Sequence, residues 1–506
     1  MPESNHLFSE LSANWADLDK VALETDDGRR FRYRDILALT ARLANALVAA
    51  GVEPGDRVAV QVEKSPEALF LYLACVRAGA AYLPLNTAYT DAELEYFLGD
   101  AEPSLFVCRP PHADAARALC AKTGVANCVT LGSNADGTLI DLAADKAETF
   151  ETIARGPDDL AAILYTSGTT GRSKGAMTTH ENLASNARSL AEYWRFTDRD
   201  VLLHTLPIFH THGLFVASNV IFRSGASMLF LPKFDPNEVF RLMPRATAMM
   251  GVPTFYTRLL EDARLSRETT KGMRLFISGS APLLADTHRA FEEKTGHRIL
   301  ERYGMTETNM ITSNPYDGER VPGAVGFPLP GVSVRIANPE TGELLGADEI
   351  GMIEVQGPNV FIGYWRMPEK TASEFRDGWF ITGDLGKIDA SGYVHIVGRG
   401  KDLVITGGYN VYPKEVESEI DALPGVFESA VIGVPHPDFG EGVVAVVVKT
   451  KDASLDEKAI HDALKVRLAN YKLPKRVFFV DDLPRNTMAK VQKNVLRDTH
   501  KDLFTS

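Results

Sequence analysis

The sequence predicts an α/β fold: a large N-terminal domain of α/β subdomains, then a β-rich module, then a small α+β C-terminal domain. Three observations predict it. Apolar strands alternate with amphipathic helices in units of about 25–35 residues, the pattern of a parallel sheet with crossover helices. After about Val321 the texture shifts to Gly-punctuated, alternating segments, which read as hairpins and tight turns. Of 506 residues, 45% are hydrophobic and 24% charged, an ordinary globular balance that excludes a disordered or fibrous chain.

In chain order, residues 36–55 read as a helix. Ile36, Leu37, Leu39, Leu43, Ala44, Leu47 and Val48 share one face, and Gly51 is a stop signal. A strand over 57–62, a helix over 66–78, an apolar stretch over 81–85, a helix over 91–99 and a strand over 104–108 follow. Further strands are predicted at 201–206, 227–231, 249–252 and 275–277. The β-rich module, about 321–398, contains alternating segments beginning at Val332, Gly351, Gly378 and Gly392. From Lys401 onward, strands at 428–434 and 443–449 mix with helices at 415–423 and 455–468. This places an N-terminal domain at 1–398, a hinge at 399–401 and a C-terminal domain at 402–506.

Net charge is −13, from 54 Lys+Arg against 67 Asp+Glu, which disfavours a nucleic-acid binder. Residues 401–506 carry 15 basic and 16 acidic side chains, so nearly all the negative charge lies before them. No apolar run approaches the ~18–20 residues of a membrane helix. The start of the chain lacks a basic, then apolar, secretory pattern. Cys75, Cys108, Cys120 and Cys128 show no C-x-x-C spacing. The expectation is a cytoplasmic protein with no nucleic-acid or membrane partner.

The strongest local chemistry lies between Ile163 and Ala176, where an apolar strand runs into Thr166-Ser167-Gly168-Thr169-Thr170-Gly171-Arg172-Ser173-Lys174. Glycines let a phosphate approach the backbone, hydroxyls and N–H groups donate, and Lys174 adds charge. It is not a Walker A loop, because Ser173 stands where the second Gly belongs and Gly175 follows the lysine. His210-x-His212 is a poor zinc site, with no nearby Cys or acidic partner.

The loop closely resembles the phosphate-binding signature of the acyl-adenylate-forming enzymes. Four further motifs resemble the same family in order: Tyr303-Gly304-Met305-Thr306-Glu307-Thr308; Tyr364-Trp365 with Gly378 to Gly386; Gly398 to Glu417; and Leu483 to Lys490. The resemblance implies two half-reactions. A carboxylate attacks the α-phosphate of ATP to give acyl-AMP and pyrophosphate, and a thiol then displaces AMP. It implies that Thr166, Ser167, Gly168, Thr169, Thr170, Gly171 and Lys174 hold the outer phosphates. Ser280, Ala281, Pro282, Glu301, Arg302, Tyr303, Gly304 and Met305 line the nucleotide. Thr306 touches the α-phosphate, and Glu307 with Thr170 ligates Mg²⁺, a hard cation suited to oxygen. Asp384 accepts from the ribose hydroxyls, Arg399 supports that sugar, and Lys490 opposes the charge that grows during α-phosphoryl transfer. Lys401 is the hinge about which a mobile C-terminal domain rotates, bringing Gly407, Gly408 and Tyr409 to the thiol. The family usually has Gly where this chain has Ala489, so Ala489→Gly is expected to preserve or raise activity.

Pro207–Gly213, Gly251–Phe255 and Ser278–Leu283 are expected to line the acyl pocket. Stretches around Pro84, Thr211, Leu275 and Glu301 resemble the malonyl-CoA synthetase branch. That resemblance implies malonate, and methylmalonate, as the acid and coenzyme A as the thiol, with no carrier protein. It assigns the distal carboxylate to a His and an Arg that match His210 and Arg289, with Ser278 and Met305 expected nearby; Arg302, immediately before the Tyr303 motif, is the second candidate by position. The alternative is a synthetase for another short-chain or aryl acid.

Overall fold

A computed structural model describes residues 4–166, 173–406, 409–451, 453–486 and 490–504. The chain divides into two compact units. The first holds Met1–Ser333 and Val355–Phe380, and the second Val334–Glu354 and Ile381–Ser506. The sequence placed its boundary at the 399–401 hinge. Here residues 334–354 and 381–398 group with the C-terminal unit instead. Trp379–Ile388 pairs with Val394–Arg399 and neighbours Gly351–Gln356, so these strands share one hydrogen-bonded ladder.

The first unit contains two large sheets. In the nine-stranded sheet, Leu300–Met305, Leu275–Ser278, Ala248–Gly251, Val201–His204, Ser227–Phe230 and Val21–Thr25 run parallel, in that order. Leu23 lies opposite Met228, and Thr25 opposite Phe230. In the seven-stranded sheet, Leu160–Thr166, Ala81–Pro84, Arg57–Gln61, Leu105–Cys108 and Asn127–Thr130 form the parallel part. The alternating strand–helix pattern is thus realised as parallel sheets.

Local chemistry sets the helix boundaries. The helix predicted at 36–55 spans Tyr33–Ala49. It starts early because the Arg32 amide donates to the Asp35 carboxylate at 2.7 Å, a first-turn cap that hydrophobic spacing does not reveal. It stops before Gly51, which takes φ +86. Pro66–Arg77 begins on the Ser65 hydroxyl, which accepts from the Ala68 amide at 3.1 Å. Every residue of this helix is buried, which explains its lack of a polar stripe. Shaving Leu71 to Ala there would cost about 2–5 kcal/mol.

In the second unit, Val426–His436 and Gly440–Lys449 pair antiparallel along their length, and Arg476–Val480 adds in parallel. Both long strands exceed the predicted 428–434 and 443–449. The first reaches back to Val426 across a register shift before Glu428 and forward to Pro435 and His436, and the second starts early on Gly440-Glu441-Gly442, which an apolar pattern does not count. Val431, Val443, Ala445, Val447, Ile460 and Val477 form a buried core beneath the helices. No helix among the described residues is long and apolar enough to cross a membrane.

Candidate active site

The first unit brings two of the predicted phosphate and metal residues, Lys174 and Glu307, onto one tyrosine, Tyr364. Leu160–Thr166 and Lys174–Thr179 form an antiparallel pair with Thr166 opposite Lys174, so the loop between them is pinned at its base. Ser167, Gly168, Thr169, Thr170 and Gly171 lie outside the described residues. The Lys174 ammonium lies 4.1 Å from the Tyr364 ring centroid and 3.6 Å from the Glu374 carboxylate. The Tyr364 hydroxyl in turn donates to Glu307 Oε1 at 3.0 Å. Tyr364 therefore links the candidate phosphate lysine to the buried metal-ligand candidate. Its Tyr-Trp motif was legible in the sequence, but this role was not.

Thr306 and Glu307 sit on the turn of a hairpin, between Leu300–Met305 and Asn309–Ser313. The turn is tight. A side chain at Gly304 would meet the Asn309 carbonyl at 1.9 Å, and Asn309 itself takes φ +49. The Thr308 carbonyl accepts from Asn359 Nδ2 at 2.7 Å, and the Glu307 carbonyl from the Phe361 amide at 2.8 Å. Glu301 Oε1 accepts from the Leu283 amide at 3.0 Å, which anchors the Ser280-Ala281-Pro282 loop to this hairpin.

The acyl-pocket candidates separate in the structure. Arg289 is exposed, with 63% of its side chain accessible, and it pairs with Asp286 one turn earlier. Its helix, Ala285–Thr295, buries Thr287, His288, Phe291 and Thr295, so Arg289 falls on the outward phase. Arg302 is 3% exposed, and its Nε and Nη2 have no hydrogen-bond partner among the described residues. Burial pushes its guanidinium down to about 9. Ser278 Oγ is likewise buried and unpartnered among the described residues. Ser280 holds φ +72, a left-handed conformation that costs a side-chain-bearing residue about 1–2 kcal/mol.

Pro207–Gly213 leads into a π-helical turn, His212–Ser218, where the sequence showed only a pocket-lining segment. His210 Nδ1 accepts from the His212 amide at 3.3 Å, which orients the His210 ring. His212 is 2% exposed, and its Nδ1 lies 3.1 Å from Ser280 Oγ. Burial, then the Arg302 charge, hold His212 well below the ordinary histidine range, so it is neutral.

The second unit carries the remaining nucleotide candidates. Asp384 and Arg399 lie directly opposite on adjacent strands, and Arg399 Nε reaches Asp384 Oδ1 at 2.8 Å. The Asp384 amide donates to Thr382 Oγ1 at 3.1 Å. Lys401 follows the last of these strands, and its neighbour Asp402 pairs with Arg497 at 2.8 Å. Lys490 closes a loop whose ends are tied twice. Its amide donates to Asn486 Oδ1 at 3.0 Å, and its carbonyl accepts from the Asn486 amide at 2.9 Å. Ala489, Gly407 and Gly408 lie outside the described residues. Tyr409 stacks on Tyr471 with centroids 4.7 Å apart.

The AMP-binding enzyme family matches residues 11–365, and the AMP-binding enzyme C-terminal domain matches residues 415–490. The chain is 37% identical to a feruloyl-CoA synthase of Amycolatopsis sp. over 475 residues, covering 93% of this chain and 94% of that protein. It is 33% identical to a malonate–CoA ligase of Arabidopsis thaliana over 555 residues, covering 98% and 90%. ATP-bound MatB from Rhodopseudomonas palustris superposes with a TM-score of 0.97 at 66% identity, covering 99% of this chain and 100% of that one. With the phosphate loop, the Thr306–Glu307 hairpin and the Asp384–Arg399 pair in the family's order, the chain belongs to the AMP-binding, acyl-adenylate-forming enzymes and is an AMP-forming acyl-CoA ligase that uses ATP.

Proposed function

We propose that the enzyme ligates malonate, and also methylmalonate, to coenzyme A through malonyl-AMP. The observation that carries this reading is the buried Arg302 guanidinium, whose Nε and Nη2 have no partner among the described residues. Burying an unpaired cation is costly unless an anion completes it. An ordinary acyl or aryl acid offers nothing to that group, whereas a distal carboxylate offers charge-assisted hydrogen bonds. The relative from Arabidopsis thaliana, a malonate–CoA ligase by name, supports the same acid. The clamp therefore moves from Arg289, which is exposed and paired with Asp286, to Arg302.

In the first step, one malonate carboxylate oxygen bonds to the α-phosphorus as the α–β bridge breaks and pyrophosphate leaves. In the second, the thiolate of coenzyme A bonds to the acyl carbon and AMP leaves, the thiol proton passing to solvent. Lys174 holds the outer phosphates, Thr306 the α-phosphate, and Asp384 with Arg399 the ribose. Glu307, with Thr170, would hold Mg²⁺. A buried carboxylate oriented by one phenol suits a cation that keeps waters and takes its other ligands from phosphates. That ion would neutralise phosphate charge as it develops.

The test is kcat/KM for malonate, butyrate and benzoate in the wild type, Arg302→Met and Arg289→Leu, following AMP and thioester. The wild type should favour malonate strongly. Arg302→Met should collapse that preference by about 10³-fold or more, since a site with an unsatisfied polar group discriminates at this scale. Arg289→Leu should keep it. A wild type that prefers butyrate or benzoate would support the reading as a monocarboxylate or aryl synthetase.

A further inference from the structure

Three thiols converge at the edge of the seven-stranded sheet. Asn127–Thr130 is its edge strand, and three strands separate it from Leu160–Thr166, which leads into the phosphate loop. The edge strand pairs in parallel with Leu105–Cys108, with Cys128 opposite Phe106 and Thr130 opposite Cys108. Side chains two residues apart share a face, so Cys108 and Cys128 lie diagonally on the same side of the sheet. Their sulfurs are 4.0 Å apart and hydrogen-bonded. Cys120, from the helix Ala113–Thr123 that connects the two strands, bonds to the same Cys128 sulfur. Cys108 and Cys120 are buried, at 1% and 4% exposure, whereas Cys128 is half-buried. The middle sulfur of the three is thus the one that solvent reaches.

We propose that Cys128 is a modification site for a small hydroperoxide and that Cys108 is its resolving thiol. A buried free cysteine ordinarily acts as a small apolar side chain. Cys75 is of that kind: it is fully buried, and burial raises its thiol. Cys128 differs in access and in company. Hydrogen bonds from Cys108, then from Cys120, favour its thiolate, and the Arg117 charge adds to them. The bond to Cys128, then burial, keeps Cys108 and Cys120 in the thiol form. The cluster therefore sets one accessible thiolate beside buried thiols, the arrangement of a reactive cysteine with a resolving partner. In the first step the Cys128 sulfur attacks one peroxide oxygen. The O–O bond breaks, an S–O bond forms, and the departing hydroxide takes a proton from solvent to become water. Cys128 is oxidised to a sulfenic acid, and the peroxide is reduced. In the second step the Cys108 sulfur attacks the Cys128 sulfur. An S–S bond forms, the S–O bond breaks, and the oxygen leaves as water with the Cys108 proton. The sulfurs need close by only about 2 Å to reach bonding distance.

The test treats the full chain with hydrogen peroxide at neutral pH and maps every cysteine by peptide mass spectrometry. In the wild type, Cys128 should react about tenfold or more faster than Cys75. The product should be a Cys108–Cys128 disulfide within one chain, reversed by dithiothreitol. Cys108→Ser should stop the reaction at the sulfenic acid, which dimedone then traps on Cys128. Cys128→Ser should leave Cys108 and Cys120 reduced under the same treatment, with ligase activity retained. A wild-type Cys128 no faster than Cys75 overturns the proposal. A disulfide from Cys128 to Cys120, or one between chains, overturns the assignment of Cys108. Both of those readings need only the wild type, so they hold even where a serine at the buried position 108 prevents folding.

Discussion

Gly279 leaves the space that the Arg302 guanidinium fills: a β-carbon on that glycine would stand 2.3 Å from Cζ of the arginine. Ala at 279 must therefore push the guanidinium aside. We expect Gly279→Ala to lower kcat/KM for malonate by tenfold or more and to destabilise the fold by about 1–3 kcal/mol, the usual range for overpacking. Steady-state kinetics and denaturant unfolding check both. Unchanged malonate kinetics would mean that Arg302 need not hold its observed position.

Lys490→Ala should abolish acyl-AMP formation while sparing thioester formation from supplied malonyl-AMP and coenzyme A. Its proposed role is to oppose negative charge as it accumulates on the α-phosphate, so a loss of about 10²–10³-fold should belong to the first step alone. Pyrophosphate release and single-turnover thioester formation separate the two. Equal losses in both steps would reject this division.

Asp384→Ala should raise KM for ATP about tenfold or more, because its carboxylate is the proposed ribose acceptor and Arg399 Nε holds it at 2.8 Å. The sharper check compares ATP with its 2′,3′-dideoxy analogue. The wild type should discriminate between them, and the variant should not.

Asp421 predicts a pH dependence. Burial raises its carboxyl to about 6, against an ordinary 3.8, while Ser429 Oγ donates to it at 2.7 Å. The folded state thus prefers the protonated acid. Stability from this group is fully present below about pH 4 and is lost as pH rises through about 6. Asp421→Asn removes that loss and keeps an acceptor for Ser429. It should raise the unfolding midpoint at pH 8, by on the order of 1 kcal/mol, and leave it nearly unchanged at pH 4. An equal shift at both pH values would contradict the assignment.

The motifs that carry the family membership were legible because their residues are contiguous. The phosphate loop, the Tyr303–Thr308 hairpin and the Asp384 strand each state their chemistry within about ten residues. The buried polar cluster beside Gly279 is different. His212, Ser280 and Arg302 come from three distant segments, and a π-turn and one left-handed serine set their geometry. No local pattern encodes such a meeting. Arg289 is the instructive contrast: the burial of Thr287, His288, Phe291 and Thr295 leaves it on the open face of its helix, and with only Phe291 apolar among them the sequence pattern did not show that face. The C-terminal unit was legible in its elements but not in its limits, because residues 334–354 join it from earlier in the chain.

The pairing of Val21–Thr25 with Ser227–Phe230 also bears on synthesis. The first strand leaves the ribosome about 200 residues before its parallel neighbour, a delay of roughly 10–40 s at ordinary elongation rates. Through that interval one edge of an apolar strand has no sheet to join, and Trp15 Nε1 lacks the Phe222 carbonyl that later accepts from it at 2.8 Å. The nascent N-terminus is therefore a segment that calls for chaperone cover. Protease sensitivity near Trp15, compared in stalled chains ending before and after Phe230, should fall sharply once the partner strand has emerged.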